Sequence, residues 1–419
     1  MIKNLDELAI TENRRMALSI VEAGFESINT EKVILNSVRL ENNILIINGE
    51  SFDLSKFKKI KIVGFGKSSL DAAGALEKIL GSKIKTGAVI GLHKINLEYI
   101  ETFAGTHPKP SQMNVEAGKR IYEIIKDSTE EDLIIALVSG GGSSLLCYPN
   151  SEYIQGGRLY DLFLKSGKTI TEMNTIRKHL SILKGGGLAK IAYPATIIGL
   201  IFSDVPGDHF ENVASGPTYK DATTIADVQK IIKESSLGDF DLIETPKEDK
   251  YFEKVHNFVL VSNKIAIEAM ERKAKELGLK AKIVSNELYD EVGQALSKLF
   301  SVKENNCVVL AAGEPRIEVR DTGGQGGRNL HMGLQAIKMI EDDSVFISFA
   351  SDGMDNSDVA GAVIDKNTIE KAEKLGLNVD DYLNRFNSYN FFKKTNDVII
   401  TGPTGSNVSD LMVLLTKNK

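Results

Sequence analysis

The chain is poor in the features that mark several common protein classes. Only two cysteines, Cys147 and Cys307, stand among its 419 residues. That excludes a disulfide framework and a cysteine-rich zinc site, and it fits a reducing cytosol. No uncharged apolar run approaches the roughly 20 residues that a membrane span needs. The longest candidates, ATIIGLIF at 195–202 and DLIIALV at 132–138, have strand length. The opening MIKNLDELAITENRR has no apolar core and does not read as a secretory signal. Basic charge is not in excess: 51 Lys and Arg less 57 Asp and Glu leave −6 at pH 7, a poor starting point for binding nucleic acid. His107, His179, His209 and His331 show no metal-ligand spacing. The expectation is a soluble, cytoplasmic protein that engages neither a membrane nor nucleic acid.

What is present is ordinary globular sequence with clustered glycine. The hydrophobic fraction of 42% and charged fraction of 26% exclude a mostly disordered chain, and the length suits two or three domains. Glycine numbers 36 against nine prolines, and it piles up at 64–66, 140–142, 185–187, 323–327 and 402–405. Clustered glycine outside a repeat signals backbone that approaches something closely.

Residues 4–28 have helical spacing of Leu5, Leu8, Met16, Ile20, Val21 and Phe25. Residues 33–47 read as a hairpin about Asn42-Asn43. Strand, loop and helix then alternate: 58–80, a strand at 87–92, a helix at 113–127, 132–146 and 195–205. The polar stretch 236–256 reads as a connection. Strands follow at 258–263, 280–286, 307–315, 344–353 and 398–405. Short apolar runs alternating with helices predict an α/β fold with mainly parallel, Rossmann-like sheets covered on both faces. The expected division is 1–235, a connection at 236–256, and 257–419. Ligands in such sheets sit at the carboxyl ends of strands, where most of the glycine clusters fall.

Gly64-Phe65-Gly66-Lys67-Ser68-Ser69 is not a P-loop, because Lys61 stands where that motif needs glycine. It is a poor dinucleotide fingerprint too: Ser69 replaces the third glycine, and no acid follows the next strand near Leu92-His93. What remains is a strand–turn–helix with a lysine, suited to an anion or to a plain tight turn. Ser139, Gly140, Gly141, Gly142, Ser143 and Ser144 follow a buried strand, so several backbone N–H groups can meet one anion at a helix start. Arg177, His179 and Lys184, before Gly185-Gly186-Gly187, face either an acidic substrate or solvent. Asp204 and Asp208 lie just past the strand at 195–202, where carboxylates serve Mg²⁺, proton transfer or a turn.

After Gly313-Glu314 comes the strongest feature, Gly323, Gly324, Gln325, Gly326, Gly327, Arg328 and Asn329, leading into an apolar helix. Arginine presents a planar fork of donors to phosphate oxygens. Asp352 and Asp355 add acids at another strand end. Gly141-Gly142-Ser143-Ser144-Leu145 lacks the last glycine of a hydrolase elbow. Glycine-lined loops with lysine, arginine and aspartate at strand ends are what phosphoryl transfer requires. A non-catalytic sugar-phosphate-binding regulator and a Rossmann-type oxidoreductase are the alternatives; the acids oppose the first and the broken fingerprint the second.

The ordered segments LVSGGGSSLL, MNTIRKHLSILKGGGLA, FSDVPGDHFENVASGPT, GEPRIEV with GGQGGRN, ASDGMDNSDVAGA and TGPTGSNVSDLMV resemble the motif series of the MOFRL-type (class II) glycerate kinases. The resemblance implies phosphorylation of D-glycerate by ATP with Mg²⁺, in most members at the 2-hydroxyl; glycerate 3-kinase and sugar-acid (hydroxypyruvate) kinase are its near variants. Archaeal relatives serve non-phosphorylated Entner–Doudoroff routes. It further implies a larger N-terminal α/β domain, a C-terminal MOFRL domain and an active site in the cleft between them, with a homodimer left open. The family's key lysine falls on Lys67 and its key arginine on Arg328, both for the transferring phosphoryl group. On this reading the loops at 140–142 and 323–328 hold nucleotide phosphates, Arg177 and Lys184 the substrate carboxylate, and Asp204, Asp208 or Asp352 binds Mg²⁺ or orients the hydroxyl. Three places depart from the family pattern: Ser68-Ser69 stands for Ala-Ala, Ser111 for an aspartate after His107-Pro108-Lys109-Pro110, and Leu330-His331 for Gln-Glu.

Overall fold

A computed structural model describes residues 1–166, 169–320 and 323–417. The chain forms two compact units. One, here the N-terminal unit, comprises Thr30–Val205 and His209–Leu260; the other, the C-terminal unit, comprises Met1–Asn29, Pro206–Asp208 and Val261–Lys419.

The N-terminal unit is built on a six-stranded sheet in the order Glu101–Ala104, Ile84–Gly91, Lys59–Phe65, Asp132–Ser139, Thr196–Phe202, Val255–Val261. The first five strands are parallel. Asp132–Ser139 is buried at every position, as a strand covered on both faces must be. Ile121 and Ile125 of the helix Gln112–Ile125 pack with Ile134, Ala136 and Val138 in this unit's core. From Lys59–Phe65 the chain builds outward in one direction, then Asp132–Ser139 returns to the other side of the same strand. That reversal opens a crevice at the strand ends, the usual ligand position in such sheets. Register places Phe65 opposite Val138 and Ser139 opposite Phe202, so the loops that follow these strands emerge side by side.

The C-terminal unit has a second six-stranded sheet, ordered Lys280–Leu288, Cys307–Gly313, Asp410–Thr416, Ser344–Ala350, Gly361–Ile364, Val398–Ile399. It is mixed, which corrects the expectation of a mainly parallel sheet. Only the first pair is parallel, and Asp410–Thr416 runs antiparallel to both of its neighbours. The run DLMVLLT is apolar because its strand is central and buried, and burial fixes composition without fixing direction.

Three further expectations are corrected. Residues 1–29 belong to the C-terminal unit rather than to 1–235. The helix Glu12–Ser27 carries a buried stripe of Leu18, Val21 and Phe25; Phe25 packs on Phe349 at 4.8 Å between ring centres, and Arg14 is sunk among Asp365, Asp397 and Thr368. The supposed connection 236–256 is a packed covering of the N-terminal unit: Leu237 is buried with Leu159, Met173 and Val228, and the Ile243 amide donates to the His179 carbonyl at 2.7 Å. Finally, the hairpin Val38–Glu41 and Ile44–Ile47 turns on Asn42 and Asn43 at φ 48° and 68°, but it follows a helix, Thr30–Ser37, and gains a third strand, Glu50–Asp53. Among the described residues no helix is long and apolar enough to cross a membrane.

Candidate functional site

In the N-terminal unit the crevice gathers the first set of candidates. The Lys67 amide donates to the Gly140 carbonyl at 2.9 Å, and the Ser68 amide donates to Ser139 Oγ at 3.1 Å. These bonds tie two strand-end loops together. A Cβ on Gly140 would fall on the Asp204 carboxylate, so only glycine lets Asp204 approach this loop. A Cβ on Gly141 would lie 3.2 Å from Lys67 Cγ and 3.2 Å from His107 Cδ2, which puts the lysine stem and the imidazole against the same turn. Ser144 Oγ donates back to the Gly141 carbonyl at 3.2 Å. Ser143 Oγ lies 2.9 Å from Ser215 Oγ, and Arg177 Nη1 donates to Asn174 Oδ1 at 3.4 Å. Ala214, Ser215 and Gly216 are all left-handed, with φ of 51°, 60° and 64°. Two consecutive non-glycine residues there store strain of order 1–3 kcal/mol each, of the kind found at ligand sites.

The electrostatics favour an anion. Neither Lys67 nor Arg177 has an ion-pair partner among the described residues. Desolvation lowers Arg177 to about 10, with Tyr160 and Glu152 opposing it, so it remains cationic at neutral pH. His107, although exposed overall, is lowered to about 4 by desolvation and then by the charges of Lys67 and Arg177. Two cations and a neutral imidazole thus surround a turn rich in N–H groups. Lys184 has a different environment from the one expected for it. It is 2% exposed and forms an ion pair with the equally buried Glu152. Its charge is neutralised internally, although it borders the same narrow cavity as Ser143, Gly156 and Arg177. Glu152, Asn174, Ser215 and His107 were not among the expected site residues. His107, Asn174 and Ser215 stood in motifs that could have suggested them; Glu152 did not.

In the C-terminal unit a cavity of about 820 Å³ is lined by Glu314, Gly324, Gly326, Gly327, Arg328, His331, Asp352, Asp355, Phe386 and Asp410, with Tyr289, Val319 and Met354 on apolar stretches. The loop leading to it is not the open phosphate cradle its composition suggests. A Cβ on Gly324 would fall on the carbonyls of Arg385 and Phe386, and one on Gly327 would fall on Asp355. Asp355 already accepts from the amides of Asn329 at 3.0 Å and Leu330 at 2.8 Å, so a protein carboxylate occupies the helix N-terminus. Asn329 is 1% exposed and is bound to Asp355, Asp410 and Ser348. It supports the site from behind. Arg328 and Arg316 both line the cavity; Arg328 donates through Nε to Asp410 at 2.9 Å and through Nη1 to Glu314 at 3.2 Å. His331 stacks on Phe386 at 5.2 Å.

The acids expected to hold a metal do not assemble a cage. Asp208 pairs with Lys264 at 3.1 Å, Asp352 Oδ1 accepts from the Met354 amide at 3.0 Å, and Asp204 lies against Gly140. Among the described residues no three His, Cys, Asp or Glu side chains gather as a metal site. The donor set therefore does not fit a resident metal.

Comparison with known proteins gives two family matches: a domain of unknown function (DUF4147) over residues 16–242, and the MOFRL family over 307–410. A glycerate 2-kinase of Pyrococcus horikoshii is 32% identical, over 97% of this chain and 98% of its own length. A D-glycerate 2-kinase of Thermotoga maritima is 30% identical, over 96% and 97%. Among solved structures, a protein from Pyrococcus horikoshii superposes with a TM-score of 0.83 at 30% identity, covering 98% of this chain and 99% of its own. A glycerate kinase from Thermotoga maritima superposes with a TM-score of 0.85 at 28% identity, covering 96% and 99%.

Proposed function

The chain belongs to the glycerate 2-kinase family, and we propose that it transfers the γ-phosphoryl group of ATP, entering as the magnesium complex, to the 2-hydroxyl of D-glycerate. The products are 2-phosphoglycerate and ADP. The observation that carries the reading is the pair of cations, Lys67 and Arg177, set without carboxylate partners beside the glycine turn at 140–142.

Each group has a chemical task. The Arg177 fork holds the glycerate carboxylate, a planar anion matched to a guanidinium. Ser143 and Ser215, 2.9 Å apart, offer hydroxyls to the hydroxyl groups of the acceptor. The 2-hydroxyl oxygen attacks the γ-phosphorus, its proton passes to Asp204, and the bond from phosphorus to the bridging oxygen of ADP breaks. Lys67 and the amides of 140–142 neutralise charge that grows on the phosphoryl oxygens. For Arg328 the motif resemblance implies a task at the triphosphate, and the cavity that Arg328 lines has apolar stretches at Tyr289, Val319 and Met354. Lys184 fixes Glu152 and thereby the wall next to Arg177.

The test is ³¹P NMR of the product from D-glycerate and ATP with Mg²⁺. A 2-phosphoglycerate resonance is expected. A 3-phosphoglycerate resonance would overturn the assigned position, and NADH oxidation with hydroxypyruvate in place of phosphoryl transfer would overturn the reaction class.

A further inference from the structure

Arg328 is gripped from behind by a buried relay. Ser348 Oγ donates to Asn329 Oδ1 at 2.6 Å, and Asn329 Nδ2 donates to Asp410 Oδ1 at 2.8 Å. The other oxygen of Asp410 accepts Arg328 Nε at 2.9 Å. Asp410 is 4% exposed, Asn329 1% and Ser348 0%, so two packed side chains, Asn329 and Ser348 behind it, fix the Asp410 carboxylate. Asp355 anchors the same helix start through Asn329 and Leu330. Glu314 takes Nη1. Nη2 of Arg328 has no partner among the described residues, and Arg328 lines the cavity.

We propose that Asp410 is a positioning residue for phosphoryl transfer: its buried carboxylate orients Arg328 through Nε, leaving Nη2 for the phosphate oxygens. The inference rests on the kinase reading above. A guanidinium that must be in place before charge develops gains from a fixed partner, because reorganisation is then avoided during the reaction. The charged groups acting on Asp410 come from three other segments: Arg328, Asp355 and Glu314. Desolvation first, then Asp355 and Glu314, raise Asp410 to about 7 against the pull of Arg328 and Asn329. Its grip on Arg328 is therefore lost as the pH falls through about 7.

The test compares wild type with Asp410→Asn. In wild type, kcat falls on the acid side with a midpoint near 7. In the variant, kcat is lower by about 10- to 100-fold, the scale for a disturbed oxyanion donor. It loses the acid limb, and its KM for glycerate stays within about twofold of wild type, as expected when only transition-state stabilisation is lost. Asp410→Asn with wild-type kcat, or with the acid limb retained, overturns the proposal. A second measurement uses wild type alone. The Arg328 Nε–H proton, assigned by ¹H–¹⁵N NMR against Arg328→Lys, is protected at pH 8 and loses protection as the pH falls through about 7. A signal that is insensitive to pH overturns the proposal even if no turnover is found, so failure here and failure of the kinase reading are told apart.

Discussion

Arg14 Nη2 lies 2.6 Å from Asp365 Oδ1, across 351 residues of sequence, with neither side chain more than 7% exposed. The same guanidinium reaches Asp397 at 2.8 Å through Nη1. One arginine thereby fastens the helix Glu12–Ser27 to the start of the helix Lys366–Lys374. Removing it strands the buried carboxylate of Asp365 and leaves Asp397 paired with Lys371 alone, a change that costs about 3–5 kcal/mol for a broken buried pair. Arg14→Met is expected to show that loss in denaturant unfolding at pH 7. Despite desolvation, the hydrogen bond and charge of Arg14 hold Asp365 below its usual range. This contribution is present above the unfolded carboxylate pKa and is lost as the pH falls through the folded one. The gap between wild type and variant is therefore widest above about pH 5 and narrows below about pH 4.

Neither thiol is a reactive group. Cys147 is 2% exposed and Cys307 1%. Desolvation, then the charge of Glu152, raise Cys147 to about 12 despite Lys184, and burial raises Cys307. At pH 8 the thiolate fraction of Cys147 is on the order of one in ten thousand. Labelling with iodoacetamide at pH 8 is expected to be negligible in the native protein and to reach two thiols only in denaturant. Rapid native labelling of either cysteine would contradict the packing.

Much of the first sheet is legible because its strands are continuous apolar runs, such as DLIIALVS, that end at glycine. The central strand Asp410–Thr416 is equally apolar, yet its antiparallel direction is set by chain connection, which composition does not encode. Arg14 reads from sequence as a solvated charge on an amphipathic helix, since its partners lie more than 350 residues away. Lys184 sits in a basic run whose half-buried and buried members look alike until Glu152, 32 residues upstream, is folded against it. At the glycine cluster 323–327 the composition was visible but its cause was not. Gly324 and Gly327 accommodate protein carbonyls and Asp355, and an open anion site would have required the same residues. Asp410 carried no local signal beyond its place at the head of an apolar run.

Gly156 lies inside the helix Asn150–Ser166, where a Cβ would meet no atom within 4 Å. Glycine in a helix interior costs about 0.5–1 kcal/mol relative to alanine, so Gly156→Ala should stabilise the folded protein by about that amount. The residue also borders the narrow cavity shared with Arg177 and Ser143. If that cavity receives the acceptor, the added methyl group takes part of its space. The expected outcome is a higher unfolding midpoint together with a KM for glycerate raised several-fold and an unchanged KM for ATP. A raised midpoint with unaltered kinetics would place the acceptor elsewhere.

Lys184 and Glu152 test whether a buried cation supports the site or binds substrate directly. Desolvation raises Glu152 above its usual range even though Lys184 opposes the shift, so the carboxylate depends on its partner to remain charged. Lys184→Met leaves Glu152 uncompensated and should cost about 3–5 kcal/mol in unfolding free energy. The double variant Lys184→Met with Glu152→Leu replaces the pair by apolar groups and is expected to recover most of that loss, as replaced buried pairs commonly do. The recovery would appear as a large coupling energy in the double-mutant cycle. If Lys184 only braces the wall, the recovered double variant retains a KM for glycerate within a few-fold of wild type, whereas Arg177→Met raises it by two orders of magnitude or more, on the scale of a lost charge-assisted bidentate contact of roughly 3 kcal/mol. A double variant that is stable but has lost glycerate binding to the same degree as Arg177→Met would assign Lys184 to the substrate after all.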